Sequence, residues 1–269
     1  MTPRFLAPLV TSIVTRRQRA LKIILKYLFP LVEERLRMDC IQWIIDSAPK
    51  KEQWDAKRII QEALALWFGS VHQLAMSFVF ALYDLCEHPE YIEKLREELA
   101  QTGEKRQWSP NSLPLLDSFL KESARMNPSD SISIRRKALS PYTLSDGTLV
   151  PTGSWACVPQ RAILRAPTYY SDPNVFNGFR FATEGAVGKH CPKPGPLTDI
   201  DGTFPLWGLG KRACPGRFYA VEALKMMVGH VLERYDFELE NHTARRTFSW
   251  RSATIPRSDV KISLRRKEA

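Results

Sequence analysis

The sequence contains no Cys-x-x-Cys pair, and its five cysteines are odd in number. Nothing at its N-terminus reads as a secretory signal. Together these absences point to reduced thiols and a cytosol-facing protein. No internal repeat or low-complexity stretch stands out, and no anchor helix is recognisable. No nucleic-acid motif accompanies the basic residues either. That absence matters, because 39 Lys+Arg against 29 Asp+Glu leave a formal net charge of +10. The basic clusters, "TRRQRALK", "IRRK" and "LRRKEA", are scattered along the chain. The excess is therefore assigned to an anionic ligand, a partner-facing surface or anionic lipid, and not to nucleic acid. Hydrophobic residues make up 44% of the 269, enough for a sizeable core in one or two domains.

One long run lacks charge altogether. From Ala63 to Tyr83, "ALALWFGSVHQLAMSFVFALY" contains no Asp, Glu, Lys or Arg. By length it could span a bilayer. Its centre, Gly69-Ser70-Val71-His72-Gln73, is polar and would need a partner in lipid. The run is expected to be the buried central helix of a soluble domain. His88-Pro89 ends it, and "PEYIEKLREELA" starts another helix. Upstream, residues 15–38 read as a basic amphipathic helix interrupted near Pro30, with one face packed and a membrane-surface role as the weaker reading.

The most informative stretch is "FPLWGLGKRACPGRFYA", Phe204 to Ala220. Gly208, Gly210 and Gly216 permit tight turns and close backbone approach to something flat or bulky. Pro215 suits the first turn of a helix. Phe218, Val221, Leu224, Val228, Val231 and Leu232 then recur at the spacing of one buried helical face. Cys214 is thus expected just before a helix N-terminus, where free N–H groups and the dipole favour a thiolate. Lys211 and Arg212 add positive charge. A buried structural thiol, a nucleophile and a metal ligand are all conceivable, and these neighbours agree best with an activated sulfur. The competing "CPKPG" at Cys191 runs into further proline and glycine and reads as loop.

This stretch resembles the haem-binding loop of the cytochrome P450 family, the haem-thiolate monooxygenases. The family pattern is matched by Trp207, Gly210, Arg212, Cys214 and Gly216, with Trp207 standing where the family usually has Phe. The resemblance makes Cys214 the proximal ligand of the iron of haem b. It makes Arg212 the partner of a haem propionate. Thiolate ligation favours O–O cleavage.

Other landmarks follow in family order. Glu122 and Arg125, in "LLDSFLKESARMNP", are i, i+3 neighbours on one helical face. "SDPNVFNGFRF" supplies Phe176, Phe179, Arg180 and Phe181. The resemblance implies that Glu122, Arg125 and Arg180 form a buried, structural ion network. Between them, "PYTLSDGTLVPTGSWACV" reads as strands with turns at Asp146-Gly147 and Pro151-Thr152-Gly153. Arg135 or Arg136 reaches a propionate on the same analogy, and the sequence does not choose between them. In the central helix, His72 takes the place of the family's acid and Gln73 that of its threonine, with Gly69 and Ser70 as the small pair. Gln73 can hold water but has no hydroxyl. His72 could relay a proton, although a lone histidine in an apolar helix is more often a core residue.

The expected fold is mainly α with a small β-sheet, the C-terminal part of the cytochrome P450 fold. It forms a single partial domain over 1–269, with a central helix at about 54–87, a Glu-x-x-Arg helix at about 114–127 and the haem-thiolate loop at 204–217. The implied activity inserts one oxygen atom from O2 into a small apolar substrate. Electrons come from NADPH through NADPH-cytochrome P450 reductase. The phrases "YDLCEHPEYIEKLREEL" and "KESARMNP" resemble fungal enzymes of terpenoid or alkaloid secondary metabolism. The family sits at the endoplasmic reticulum membrane, on its cytosolic face; without an anchor, this chain is expected to be cytosolic. Family members are much longer at the N-terminus. The alternative is therefore a truncated, non-catalytic remnant with weak or no haem binding. A membrane-inserted or nucleic-acid-binding basic protein ranks below both.

Overall fold

The computed structural model describes residues 40–49, 54–101, 113–182 and 195–268, together with Ile23 and Lys26. The rest of the basic stretch 15–38, and Cys191, lie outside the described residues. The helices are α1 (Cys40–Ser47), α2 (Ala56–Glu87), α3 (Ile92–Gln101), α4 (Pro114–Met126), α5 (Gln160–Ile163) and α6 (Arg217–Arg234). The strands are β1 (Ser133–Lys137), β2 (Tyr142–Thr143), β3 (Leu149–Val150), β4 (Trp155–Val158), β5 (Tyr235–Leu239), β6 (Thr247–Trp250), β7 (Ala253–Pro256) and β8 (Ile262–Arg266). The fold is mainly α. Its β structure is a set of two-stranded antiparallel ladders, β1 with β4, β2 with β3, β5 with β8 and β6 with β7.

Local chemistry sets the helix ends. The Asp55 carboxylate accepts the Arg58 N–H at 2.8 Å, occupying one of the free donors at the start of α2. The helix ends where His88, ahead of Pro89, leaves helical geometry with φ −125°. Helix α4 opens on Pro114 and has no cap of its own. The Glu98 carboxylate of α3 supplies one across space, accepting the Leu115 and Leu116 N–H groups at 2.7 and 2.9 Å. Burial pushes the Glu98 carboxyl up, and the two backbone donors work against that rise.

The chain divides into two compact units, Met1–Val71 and His72–Ala269. In the first, Ile44, Ile59 and Ile60 form a small core, with Ile41, Ile45, Trp54 and Leu64 packed on it. Farther along α2, Trp67 is 58% and Phe68 70% exposed, and Leu66 and Val71 are exposed too. The expectation of a central helix buried throughout is corrected here. Continuous burial begins only at Phe80, where α2 enters the cores of the second unit. Among the described residues, α2 is the one helix long and apolar enough to cross a membrane by length and composition.

The second unit holds the main core. Leu85 of α2, Leu95 of α3, Leu116 and Phe119 of α4, and Val221, Val228 and Leu232 of α6 meet Tyr170, Phe181 and Phe204 from the loops. The apolar face of α6 is buried from Val221 onward. Phe218 departs from expectation: it is 50% exposed, with the Arg217 guanidinium 4.2 Å from its ring centre. Gly178 is required by packing. A Cβ there would stand 2.8 Å from Phe119 Cδ2 and 3.0 Å from Tyr91 Cε1.

A buried carboxylate joins α2 to α4. Asp84 accepts from the Ser123 hydroxyl at 2.6 Å and the Asn127 amide at 2.9 Å, and Arg246 approaches it at 3.4 Å. Burial raises its pKa from 3.8 to about 7, against the pull of Ser123 and Arg246. A raised carboxyl pKa means that the folded state holds a proton that the unfolded state releases. Its stabilisation is present below the unfolded value and lost as pH rises toward 7. Asp84→Asn is therefore expected to remove a decline in stability across that window. The wild-type advantage over the variant should shrink by about 4 kcal/mol, from a rise of roughly three pKa units at about 1.4 kcal/mol each. Urea unfolding at a series of pH values checks this, and parallel pH profiles for the two proteins would contradict it.

Candidate functional site

The loop around Cys214 is made of short turns. Phe204 is buried, and Pro205–Trp207 forms a 3-10 turn. Gly208 and Gly210 take φ values of 77° and 62°, a region that disfavours side chains. Gly210–Arg212 forms a second such turn, and α6 begins at Arg217 with Gly216 at its N-cap. A Cβ on Gly216 would stand 3.9 Å from Cys214 Sγ, so this glycine borders the sulfur directly.

The cysteine's backbone is held on both sides. Its N–H donates to the Trp207 carbonyl at 2.7 Å. Its carbonyl accepts from Arg217 Nη1 at 3.0 Å, and Arg217 Nε donates to the Thr198 carbonyl at 3.0 Å. Cys214 itself is half-buried. The other described thiols lie in different settings. Cys40 and Cys157 are exposed, and Cys86 is buried. Burial pushes the Cys86 thiol up to about 11, which leaves it inert as a thiolate. Arg212 and Lys211 are exposed beside the loop.

The structure brings Glu122, Arg125 and Arg180 together in the core. Arg125 grips Glu122 with two bonds, Nε to Oε2 at 2.7 Å and Nη2 to Oε1 at 2.8 Å. Arg180 Nε approaches the same carboxylate at 3.1 and 3.2 Å. The Asn177 N–H donates to Glu122 Oε1 at 2.9 Å. Most other guanidinium protons go to backbone, Arg125 Nη1 to Leu164 and Pro173, each at 2.7 Å, and Arg180 Nη1 to Ser171 at 2.6 Å, while Arg125 Nη2 also reaches Met126 Sδ at 3.1 Å. A buried ion pair is tolerable when its remaining donors are satisfied in this way. The result clamps the irregular chain at 164–180 onto α4.

His72 and Gln73 are exposed on α2, and Ser70 turns its hydroxyl back to the Trp67 carbonyl at 3.2 Å. A Cβ on Gly69 would meet nothing within 4 Å among the described atoms. Arg135 pairs with Asp130 at 2.6 Å and bonds Ser252 at 3.0 Å. Arg136 donates to the Arg135 carbonyl at 2.9 Å.

Sequence reasoning missed three buried charges near the loop. Lys225 of α6 pairs with Asp117 of α4 at 2.6 Å, both buried. Lys121 donates to the Gly195 carbonyl at 2.8 Å and lies 4.6 and 5.3 Å from the Phe181 and Phe204 ring centres. Burial pulls its pKa down. No sequence signal marks them, because charged residues on amphipathic helices ordinarily face solvent.

The family model for cytochrome P450 matches residues 1–264. The chain belongs to the cytochrome P450 family. It is 33% identical to cytochrome P450 monooxygenase 151 of Postia placenta, over 99% of this chain and 57% of that protein. It is 34% identical to an ent-kaurene oxidase of Gibberella intermedia, over 85% of this chain and 45% of that protein. The chain spans about half the length of the curated relatives it matches. Among solved structures, the retinoic acid-bound cyanobacterial CYP120A1 superimposes with a TM-score of 0.77 at 19% identity, covering 93% of this chain and 57% of the other. This likeness shows the P450 fold.

Membership of the family implies haem iron, and the residues fit it. Among the described residues no cluster of three or more His, Cys, Asp or Glu could cage a metal ion. A single half-buried sulfur in a glycine-turned loop would suit a haem iron that takes one ligand from the protein. The exposed cations Arg212 and Lys211 suit the haem's carboxylates.

Proposed function

We propose that this chain carries the haem-thiolate half of a monooxygenase that places one oxygen atom from O2 into an apolar small molecule. Cys214 is the sulfur ligand, and the observation that carries the reading is its position: a half-buried thiol, its backbone N–H and C=O both hydrogen-bonded, three residues before α6. Bound haem supplies the activation of O2. The chain's own residues do the rest. Trp207, Gly210 and Gly216 shape the surface against which the sulfur is presented. Arg212 holds a propionate. Arg136 is the better second candidate, because Arg135 is already paired with Asp130. Glu122, Arg125 and Arg180 keep this side of the core rigid. Gln73 and His72 hold water and pass a proton, in place of a threonine and an acid.

The substrate class we assign is a terpenoid or alkaloid skeleton of fungal secondary metabolism. Relatives named ent-kaurene oxidase and cytochrome P450 monooxygenase paxP, the latter from Penicillium paxilli and 33% identical over 88% of this chain, support that reading. Electrons reach the site from NADPH through NADPH-cytochrome P450 reductase, at the cytosolic face of the endoplasmic reticulum. The test is to load the purified chain with haem, reduce it and add carbon monoxide. A stoichiometric thiolate spectrum, with turnover on added reductase, is the expected result. Weak, substoichiometric loading without a thiolate spectrum would count against the reading.

A further inference from the structure

We propose that the segment 195–198 is a strap that positions the Cys214 sulfur, with Trp207 and Arg217 as its two fasteners. The strap is anchored from below. The Leu197 N–H donates to Asp117 Oδ2 at 2.6 Å, and Asp117 Oδ1 is paired with Lys225 at 2.6 Å. Lys121 adds a bond to the Gly195 carbonyl at 2.8 Å. Asp117 and Lys121 lie on α4, the same helix as Glu122 and Arg125, and Lys225 lies on α6. The strap is thus tied to both helices that frame the loop.

From above, its two carbonyls act, through Trp207 and Arg217, on the N–H and the C=O of Cys214. The Leu197 carbonyl accepts the Trp207 indole N–H at 2.6 Å, and the Trp207 carbonyl in turn accepts the Cys214 N–H at 2.7 Å. The Thr198 carbonyl accepts Arg217 Nε at 3.0 Å, and Arg217 Nη1 donates to the Cys214 carbonyl at 3.0 Å. Leu197 and Thr198 are buried, so water cannot readily replace either donor. A phenyl ring at position 207 would fill similar space but would leave the Leu197 carbonyl unpaired. The indole therefore holds the loop as well as packing against it.

The strap's functional meaning rests on Cys214 being the iron's ligand; its mechanical meaning does not. The test uses the full chain without haem, pulse-labelled with iodoacetamide and mapped peptide by peptide. Trp207→Phe cuts one fastener and Arg217→Lys weakens the other. Each is expected to speed labelling of Cys214 roughly tenfold, the effect of one lost buried hydrogen bond on local opening. Buried Cys86, in a separate cluster with Phe80, Tyr83 and Leu239, serves as the internal control and should label at the wild-type rate. The proposal is overturned if Cys214 labelling is unchanged in either variant. Equal acceleration of Cys86 would also overturn it, because that marks general loosening. Adding haem to the wild type separates the two claims: no thiolate spectrum there would remove the ligand assignment and leave the labelling result standing.

Discussion

Glu122→Ala is expected to lose most of the folded protein. The carboxylate is fully buried, and two guanidinium groups converge on it within 2.7–3.2 Å. Removing it leaves Arg125 and Arg180 facing each other as like charges in a region of low dielectric. Breaking a buried ion network by deleting one partner costs about 3–5 kcal/mol. A whole domain is stable by only about 5–15 kcal/mol, so the loss falls on a small margin. The Asn177 N–H would also lose its acceptor, and the chain at 164–180 would lose the anchor that ties it to α4. Soluble yield and the urea midpoint should both fall sharply. Glu122→Gln, which keeps an acceptor but not the charge, should fall between the two. A wild-type midpoint for Glu122→Ala would contradict the network's structural role.

Much of the frame was legible because it is local. The apolar period of α6 and the His88-Pro89 break are both read within a few residues. The structural bounds of α2 and α4, Ala56–Glu87 and Pro114–Met126, lie within two residues of those read from the sequence. What was not legible depends on contacts across the chain. Lys225 reads as a solvated lysine until Asp117, far away in sequence, is placed beside it. The Trp207 indole reads as a bulkier phenyl until the Leu197 carbonyl appears at 2.6 Å. Glu98 reads as one more acid on a charged helix, and only the tertiary fold turns it into the cap of α4. The exposure of Trp67 and Phe68 was hidden for the same reason, since periodicity says that a face is apolar but not what covers it.

The second large effect concerns the sulfur. Cys214→Ser replaces a soft sulfur donor with a hard hydroxyl oxygen. The alcohol oxygen is a poor substitute for thiolate in donating electron density to iron. The change is nearly isosteric, and both backbone bonds of residue 214 are made by atoms that the substitution keeps. The fold should therefore survive, and the effect should be confined to ligation.

The most direct measurement loads wild type, Cys214→Ser and Cys191→Ser with haem under identical conditions, reduces each and records the carbon monoxide difference spectrum. The thiolate band is expected in the wild type and in Cys191→Ser, and should be completely absent in Cys214→Ser. A thiolate band that persists in Cys214→Ser and vanishes in Cys191→Ser would contradict the ligand assignment.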